Sequence, residues 1–211
     1  GLTIGLREVR IEGEQLLLNG RPIELRGVNR HEFHPSCGHA VSAALNEADI
    51  RLLKQNNLNA LRTSHYPNSA PVYDLCDRYG VLVMSECNLE THGLAGVVPG
   101  NDSGWTAHAL DRMEKMVQRL KNHPCILIWS LGNECGAGSC FVQMRRRTLE
   151  LDDTRPIHYE PDIRFESTDF FSQMYATVGK VQRIGAGQPV RVSRCSYGPL
   201  ALLGRPGSVR G

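Results

Sequence analysis

The chain has 211 residues, enough for one sizeable domain and too few for a large modular enzyme. It is 41% hydrophobic and 22% charged, ordinary values for a globular protein with a real core, and its net charge of +2 points to neither a nucleic-acid nor a polybasic membrane partner. No apolar run approaches the ~20 residues of a membrane span, and the N-terminus lacks a basic-then-apolar signal pattern.

In chain order, residues 8–19 and 21–29 read as two strands meeting at Asn19-Gly20, a favoured hairpin turn. Asn46 reads as the N-cap of a helix carrying Ile50, Leu53 and Leu58 at roughly helical spacing. Ala60–Ser64 is a short strand. Pro71 opens a helix that Gly80 closes. Val81–Met84 is a buried strand running on to Asn88. A longer helix spans about 104–121, with Leu110, Met113, Val117 and Leu120 on one face, and stops at His123-Pro124. Ile126–Ser130 is another core strand, followed by a helix at about 139–150. Residues 157–160, 169–175 and 189–196 are weaker strand candidates. Strands alternating with helices predict a parallel sheet with helical cover, whose ligands bind beyond the carboxyl ends of the strands.

Seven cysteines form no CxxC pair. Cys76, Cys87 and Cys125 lie in or beside apolar runs, where a free thiol acts as a small hydrophobe, and no tetrahedral zinc spacing is visible. A reduced, cytoplasmic setting is expected.

Polar residues gather where the apolar runs stop. Asn29-Arg30-His31-Glu32, Arg62-Thr63-Ser64-His65, Glu86 to His92 and Asn133-Glu134 each bring a carboxylate, histidine or arginine to a strand end. Four such ends in succession predict an active-site rim. In extended chain, residues two apart face the same way, so Glu90 and His92 can address one atom. With Glu134 from the next strand the set suits a hard divalent cation, magnesium rather than zinc. A carboxyl group at the edge of an apolar sheet can have its pKa raised, as a general acid requires, and Asn133 beside it can bond a sugar hydroxyl. That is half of a glycosidase; the other half is a second carboxylate on the facing wall.

The stretches GVNRHEFHP (27–35), KQNNLNALRTSHYPN (54–68), LCDRYG (75–80), ECNLETHG (86–93) and NHPCILIWSLGNECG (122–136) closely resemble the catalytic barrel of large bacterial β-galactosidases. These belong to glycoside hydrolase family 2, with β-glucuronidases and β-mannosidases. The resemblance covers about residues 8–192, and ECNLETHG favours β-galactosidase over β-glucuronidase. It implies a (β/α)8 TIM barrel, here incomplete at about seven strands, entered through an N-terminal β-hairpin. A full barrel takes roughly 250 residues. Residues 1–20 would be the linker and hairpin, 21–196 the partial barrel, and 197–211 an irregular tail.

Carried over by residue, the resemblance makes Glu134 the general acid/base and Glu90, His92 and Glu134 the magnesium ligands. His31 and His65 become substrate-pocket or transition-state-stabilising histidines, Arg62 the organiser of the carboxylates, Asn133 a sugar contact, and Tyr175 a neighbour of the nucleophile. In the full-length family it also implies a monovalent cation, K+ or Na+, and a homo-oligomer. The implied reaction is hydrolysis of terminal β-D-galactosides, lactose among them, with retention.

One departure bears on that reaction. Where the family has its nucleophilic Glu in a Cys-Glu-Tyr segment, this chain has Cys195-Ser196-Tyr197, and Pro199 stands where a pocket histidine is expected. A serine without an adjacent base is a poor nucleophile. After Asp169 there is no Asp or Glu, while Lys and Arg accumulate. Two explanations follow: a reading frame lost near residues 191–195, or a nucleophile-less relative that binds galactosides without cleaving them. The first leaves a non-functional truncated fragment. Within the class, β-glucuronidase is the rival.

Overall fold

The computed structural model describes residues 4–185 and, beyond them, the backbone of a strand at 201–204. The chain begins with a small antiparallel sheet, β1 (Val9–Glu12), β2 (Gln15–Leu18) and β3 (Arg21–Pro22). The segment read as one strand over 8–19 is therefore two, folded back at Gly13-Glu14 so that Glu12 pairs with Gln15. The Asn19-Gly20 turn forms as expected, both residues at positive φ (51° and 74°), the backbone that tight hairpins need.

Five parallel strands follow in the order β4 (Gly27–Arg30), β5 (Ala60–Thr63), β6 (Leu82–Glu86), β7 (Ile126–Asn133) and β8 (Ile157–Glu160). They are joined through α1 (Ala43–Gln55), α2 (Ala70–Tyr79), α3 (Ser103–Leu120) and α4 (Ser139–Leu151). β9 (Phe170–Gln173) lies beside β8, held by Asp169, whose N–H donates to Ile157 O (2.7 Å) and whose Oδ2 accepts from Ile157 N (2.8 Å). After α5 (Val178–Gly185), strand β10 (Ala201–Gly204) pairs antiparallel with β9. Among the described residues, then, the barrel is open, with five laddered strands and β9 at its margin. The candidate strand 189–196 lies outside the described residues, as do Cys195 and Ser196. β10 departs from the irregular tail expected over 197–211; its pairing is long-range and leaves no local periodicity to read.

Helix starts correct one expectation. α1 begins three residues before Asn46, because Ser42 is its N-cap and its hydroxyl accepts from Leu45 N. Asn46 sits inside the helix and is buried; its role is given below. α2 carries Pro71 in its first turn and ends at Gly80, as read.

The sheet has two apolar faces. Outward, Leu61, Val83, Ile126, Trp129, Ile157 and Tyr159 pack against Ile50, Val72, Tyr73, Met113, Val117, Phe141 and Met144 of the helices. Inward, Met84, Leu127 and Ile128 meet Val9 and Phe170, with Ile11, Leu16 and Leu18 of the N-terminal sheet against them. A register shift between Val83 and Met84 lets Ile126 pair with the outward Val83 and Ile128 with the inward Met84. Cys76, Cys87, Cys125, Cys135 and Cys140 are buried free thiols, while Cys37 is exposed.

Candidate active site

Alternation along the parallel strands decides which polar residues share the barrel interior. Asn29 on β4, Arg62 on β5, Glu86 on β6 and Ser130 and Asn133 on β7 converge. The Arg62 guanidinium organises them: Nε and Nη2 each reach Glu86 Oε2 at 2.7 Å, Nη2 donates to Asn133 Oδ1 (2.9 Å), and Nη1 reaches Asn29 Oδ1 (3.4 Å). Glu86 is fully buried and also contacts Ser130 Oγ and His65 Nδ1, each at 2.6 Å. With both oxygens so engaged, Glu86 is a fixed charge rather than a free nucleophile.

Asn133 extends the network to the rim. Its Nδ2 donates to Glu90 Oε1 (2.9 Å) and to Glu134 Oε2 (3.4 Å). Glu134 follows β7 in left-handed backbone (φ +47°), unusual for a side chain with a Cβ, and its N–H is fixed on Glu160 O at 2.9 Å. β7 runs beyond the expected Ser130 to Asn133, and Glu90 makes an isolated parallel bridge to Asn133. The loop after β6 is tied to the same place, since Thr91 N donates to Cys135 Sγ (3.2 Å) and Gly96 N to Cys135 O (3.0 Å). Gly136 permits this: a Cβ there would lie 2.4 Å from Gly96 N, at a φ of +77°.

The residues expected as metal ligands come together in pairs. His92 Nδ1 is 3.7 Å from Glu134 Oε2, and Glu90 and Glu134 share the Asn133 amide. Their atoms do not form a close triple; among the described residues only Asp77, His123 and Cys125 place three ligand atoms all within 4.8 Å of one another. His92 opens a single 3-10 turn, His92–Leu94, and its side chain is 72% exposed. Two carboxylates and an imidazole are donors that suit a hard cation keeping several waters. To join the other two on one ion, His92 would have to swing in.

His65 bridges inner and outer parts of the rim, its Nε2 lying 3.6 Å from Glu90 Oε1. His31 stands edge-on to it at 5.6 Å between ring centroids. Partial burial, then the neighbouring His65, lowers the His31 pKa, which favours a neutral imidazole. Tyr175, half-buried with φ +60°, follows β9. Arg30 and Glu32, which the sequence places at the same strand end as His31, point the other way. Arg30 bonds Asn46 Oδ1 (2.6 Å), Asn68 Oδ1 (2.7 Å) and Asp49 Oδ2 (2.8 Å), while Glu32 accepts from Asn46 Nδ2 (2.9 Å) and Ser69 N (2.7 Å). They brace β4 against α1 and α2, and Asn46 is the hub of that brace.

Sequence reasoning left Glu86, Ser130 and His158 without roles. His158 is fully buried; its Nδ1 pairs with Ser130 Oγ (2.9 Å), and its Nε2 has no hydrogen-bond partner among the described residues. Burial, then the Arg62 charge, holds its pKa well below the ordinary value. Glu160 approaches at 4.0 Å, accepts from Ser172 Oγ, and has its pKa raised by burial. The signal was available in Leu82-Val-Met-Ser-Glu86 and Ile157-His-Tyr-Glu160, where period-two alternation sets the polar residue of each strand end on the inner face.

The comparisons decide the family. Residues 9–192 match the family model described as glycosyl hydrolases family 2, TIM barrel domain. The chain belongs to that family. It is 48% identical over 182 residues to a β-galactosidase of Vibrio cholerae, covering 85% of this chain and 18% of the relative. It is 49% identical over 179 residues to a β-galactosidase of Psychromonas ingrahamii, covering 84% of this chain and 17% of the relative. The chain thus spans less than a fifth of the length of these relatives. Among solved structures it is similar to a β-D-glucuronidase of Dictyoglomus thermophilum (33% identity, TM-score 0.66, 74% of this chain and 29% of that one). It is also similar to a β-galacturonidase of Eisenbergiella tayi bound to galacturonate (34% identity, TM-score 0.68, 74% and 28%). As a family 2 barrel segment, its rim residues stand on the C-terminal ends of the strands, where barrel enzymes carry their chemistry.

Proposed function

We propose that this chain carries the acid/base side of a retaining β-galactosidase, with Glu134 as the proton donor to the leaving glycosidic oxygen. The observation that supports it is the placement of Glu134: at the end of β7, in constrained backbone, next to an Asn133 amide that Arg62 and Glu90 already orient. Asn133 and His31 would bond sugar hydroxyls, and His65 would carry the Glu86 charge toward the pocket. Fixed donors and charges of this kind stabilise an oxocarbenium-like transition state without reorganising. Tyr175 would stand beside the second carboxylate. Neither Glu86, saturated by three partners, nor Glu160, buried and held toward its neutral form, is free to form the glycosyl intermediate.

Magnesium on Glu90, His92 and Glu134 would supply positive charge that keeps the Glu134 carboxyl oriented. The identity to β-galactosidases, higher than to the uronidases, supports galactosides over glucuronides as substrates. No described helix is long and apolar enough to cross a membrane, and the buried free thiols support a reducing, cytoplasmic setting. Homo-oligomer formation and a monovalent cation carry over from the resemblance in the same way.

Because Ser196 occupies the nucleophile position, the purified chain should bind galactosides while turning over a chromogenic β-galactoside little or not at all, with or without magnesium. Calorimetric titration with galactose measures the first. Binding that disappears in His31→Ala, and glucuronate binding weaker than galactose, support the assignment. Absence of galactoside binding, or a preference for glucuronate, overturns it. Robust turnover would instead show a nucleophile this reading lacks.

A further inference from the structure

At the opposite end of β7 from Glu134 lies a group of side chains that the glycosidase site does not use. Asp77 belongs to the last turns of α2; His123 and Cys125 flank Pro124 just before β7 begins. They come from segments 46 and 48 residues apart in sequence, yet Asp77 Oδ2 is 2.6 Å from His123 Nδ1 and Asp77 Oδ1 accepts from Cys125 N at 2.8 Å. One ligand atom from each lies within 4.8 Å of the other two. The side chains of His123 and Asp77 are 21% and 19% exposed, which leaves a path from solvent, while Cys125 is buried.

We propose that Asp77, His123 and Cys125 form a zinc site that fastens α2 to the start of β7. A thiolate, an imidazole and a carboxylate are the donors zinc takes, at about 2.3, 2.0 and 2.0–2.2 Å, and a thiolate argues against magnesium. The spacing is close to what is needed: such bonds put tetrahedral ligand atoms about 3.3–3.8 Å apart, against 2.6 Å between Asp77 and His123 and no more than 4.8 Å from either to Cys125 Sγ. The Asp77–His123 pair, now bridged by a proton, opens by less than an ångström to admit the ion. The Cys125 N–H on Oδ1 orients the carboxylate and leaves Oδ2 for the metal, the supporting contact that ligating carboxylates generally have. Coordination through Nδ1 leaves the neutral imidazole's proton on Nε2, and the Cys125 thiol loses its proton to solvent. Burial and the Asp77 carboxylate keep that thiol protonated without metal, so the affinity should rise with pH. Water completes the fourth position.

Cobalt(II) tests this as a spectroscopic stand-in. Titrated into the metal-stripped 211-residue chain, it should give a thiolate-to-cobalt charge-transfer band and tetrahedral d–d bands that saturate at one equivalent. Zinc should displace it, and a large excess of magnesium should not. Cys125→Ser should abolish the charge-transfer band, His123→Gln should weaken cobalt binding at least tenfold, and Cys37→Ser should leave both unchanged. No charge-transfer band in the parent chain, or one that survives Cys125→Ser, overturns the site. Should Cys125→Ser fail to fold, as judged by circular dichroism, His123→Gln decides: unchanged affinity overturns the site and weakened affinity supports it.

Discussion

Arg62 and Glu86 are both buried, and neither is stable there without the other. Removing one partner of a buried pair strands the other's charge, which costs about 3–5 kcal/mol. Arg62→Ala should therefore lower unfolding stability by about that much in urea denaturation, whatever it does to binding. Lysine is no substitute, because a point charge cannot reach Glu86, Asn133 and Asn29 from one plane. His158 makes a second residue-level prediction. Its folded pKa is depressed, so below about pH 6.5 the unfolded chain binds a proton that the folded one refuses. Stability should fall on acidification through that range, by at most about 1.4 kcal/mol per pH unit from this group. His158→Gln should flatten the acid limb of a stability–pH curve; an unchanged limb would show that other groups control it.

Among the elements, β4 and β5 approach each other closely. A Cβ at Gly27 would lie 2.3 Å from Ala60 O, an atom of the neighbouring strand's backbone that cannot turn aside. Gly27→Ala should push the strands apart and destabilise by about 1–3 kcal/mol, the usual cost of overpacking, and it should loosen the Asn29–Arg62 contact two residues on. A thermal melt of the variant checks the first effect. The brace behind β4 works by a different means. Arg30, Asn46, Glu32 and Ser69 form a closed hydrogen-bond network that aims α1 and α2 and leaves His31, on the other face, to the pocket. Asn46 looks like a helix cap in sequence because asparagine is common there; the tertiary partners Arg30 and Glu32 draw it into the helix interior instead.

At the scale of the molecule, the N-terminal sheet is a lid on the inner core rather than an ornament. Val9 and Leu17 are buried, and Val9 meets Met84, Leu127 and Ile128 inside the barrel. Val9→Ala should cost about 2 kcal/mol, a core-sized penalty, if the sheet and barrel unfold as one unit. A single urea transition with a lowered midpoint is the expected result. Two separate transitions would mean that the sheet is only loosely attached.

Much of this was legible in the residues themselves. Gly20, Pro71 and Gly80 mark turns and helix ends through backbone preferences that need no partner, and the parallel layout follows from strands spaced by helices. Glu134 and Asn133 stood out in the sequence because a carboxyl and an amide close a largely apolar run. What the sequence determined alone is thus periodicity and local backbone: that Asn29 and His31 share one face, and Arg30 and Glu32 the other. Which face turns inward was decided only by tertiary structure, when Arg62 on the next strand reached Asn29, Glu86 and Asn133 together. Distances between strand ends belong to the same category. The Glu90–Asn133–Glu134 chain, the outlying His92 and the meeting of Asp77 with His123 and Cys125 all depend on crossovers that close loops of tens of residues. No local energy term encodes such a contact; it exists once packing of the helices fixes the register of the sheet.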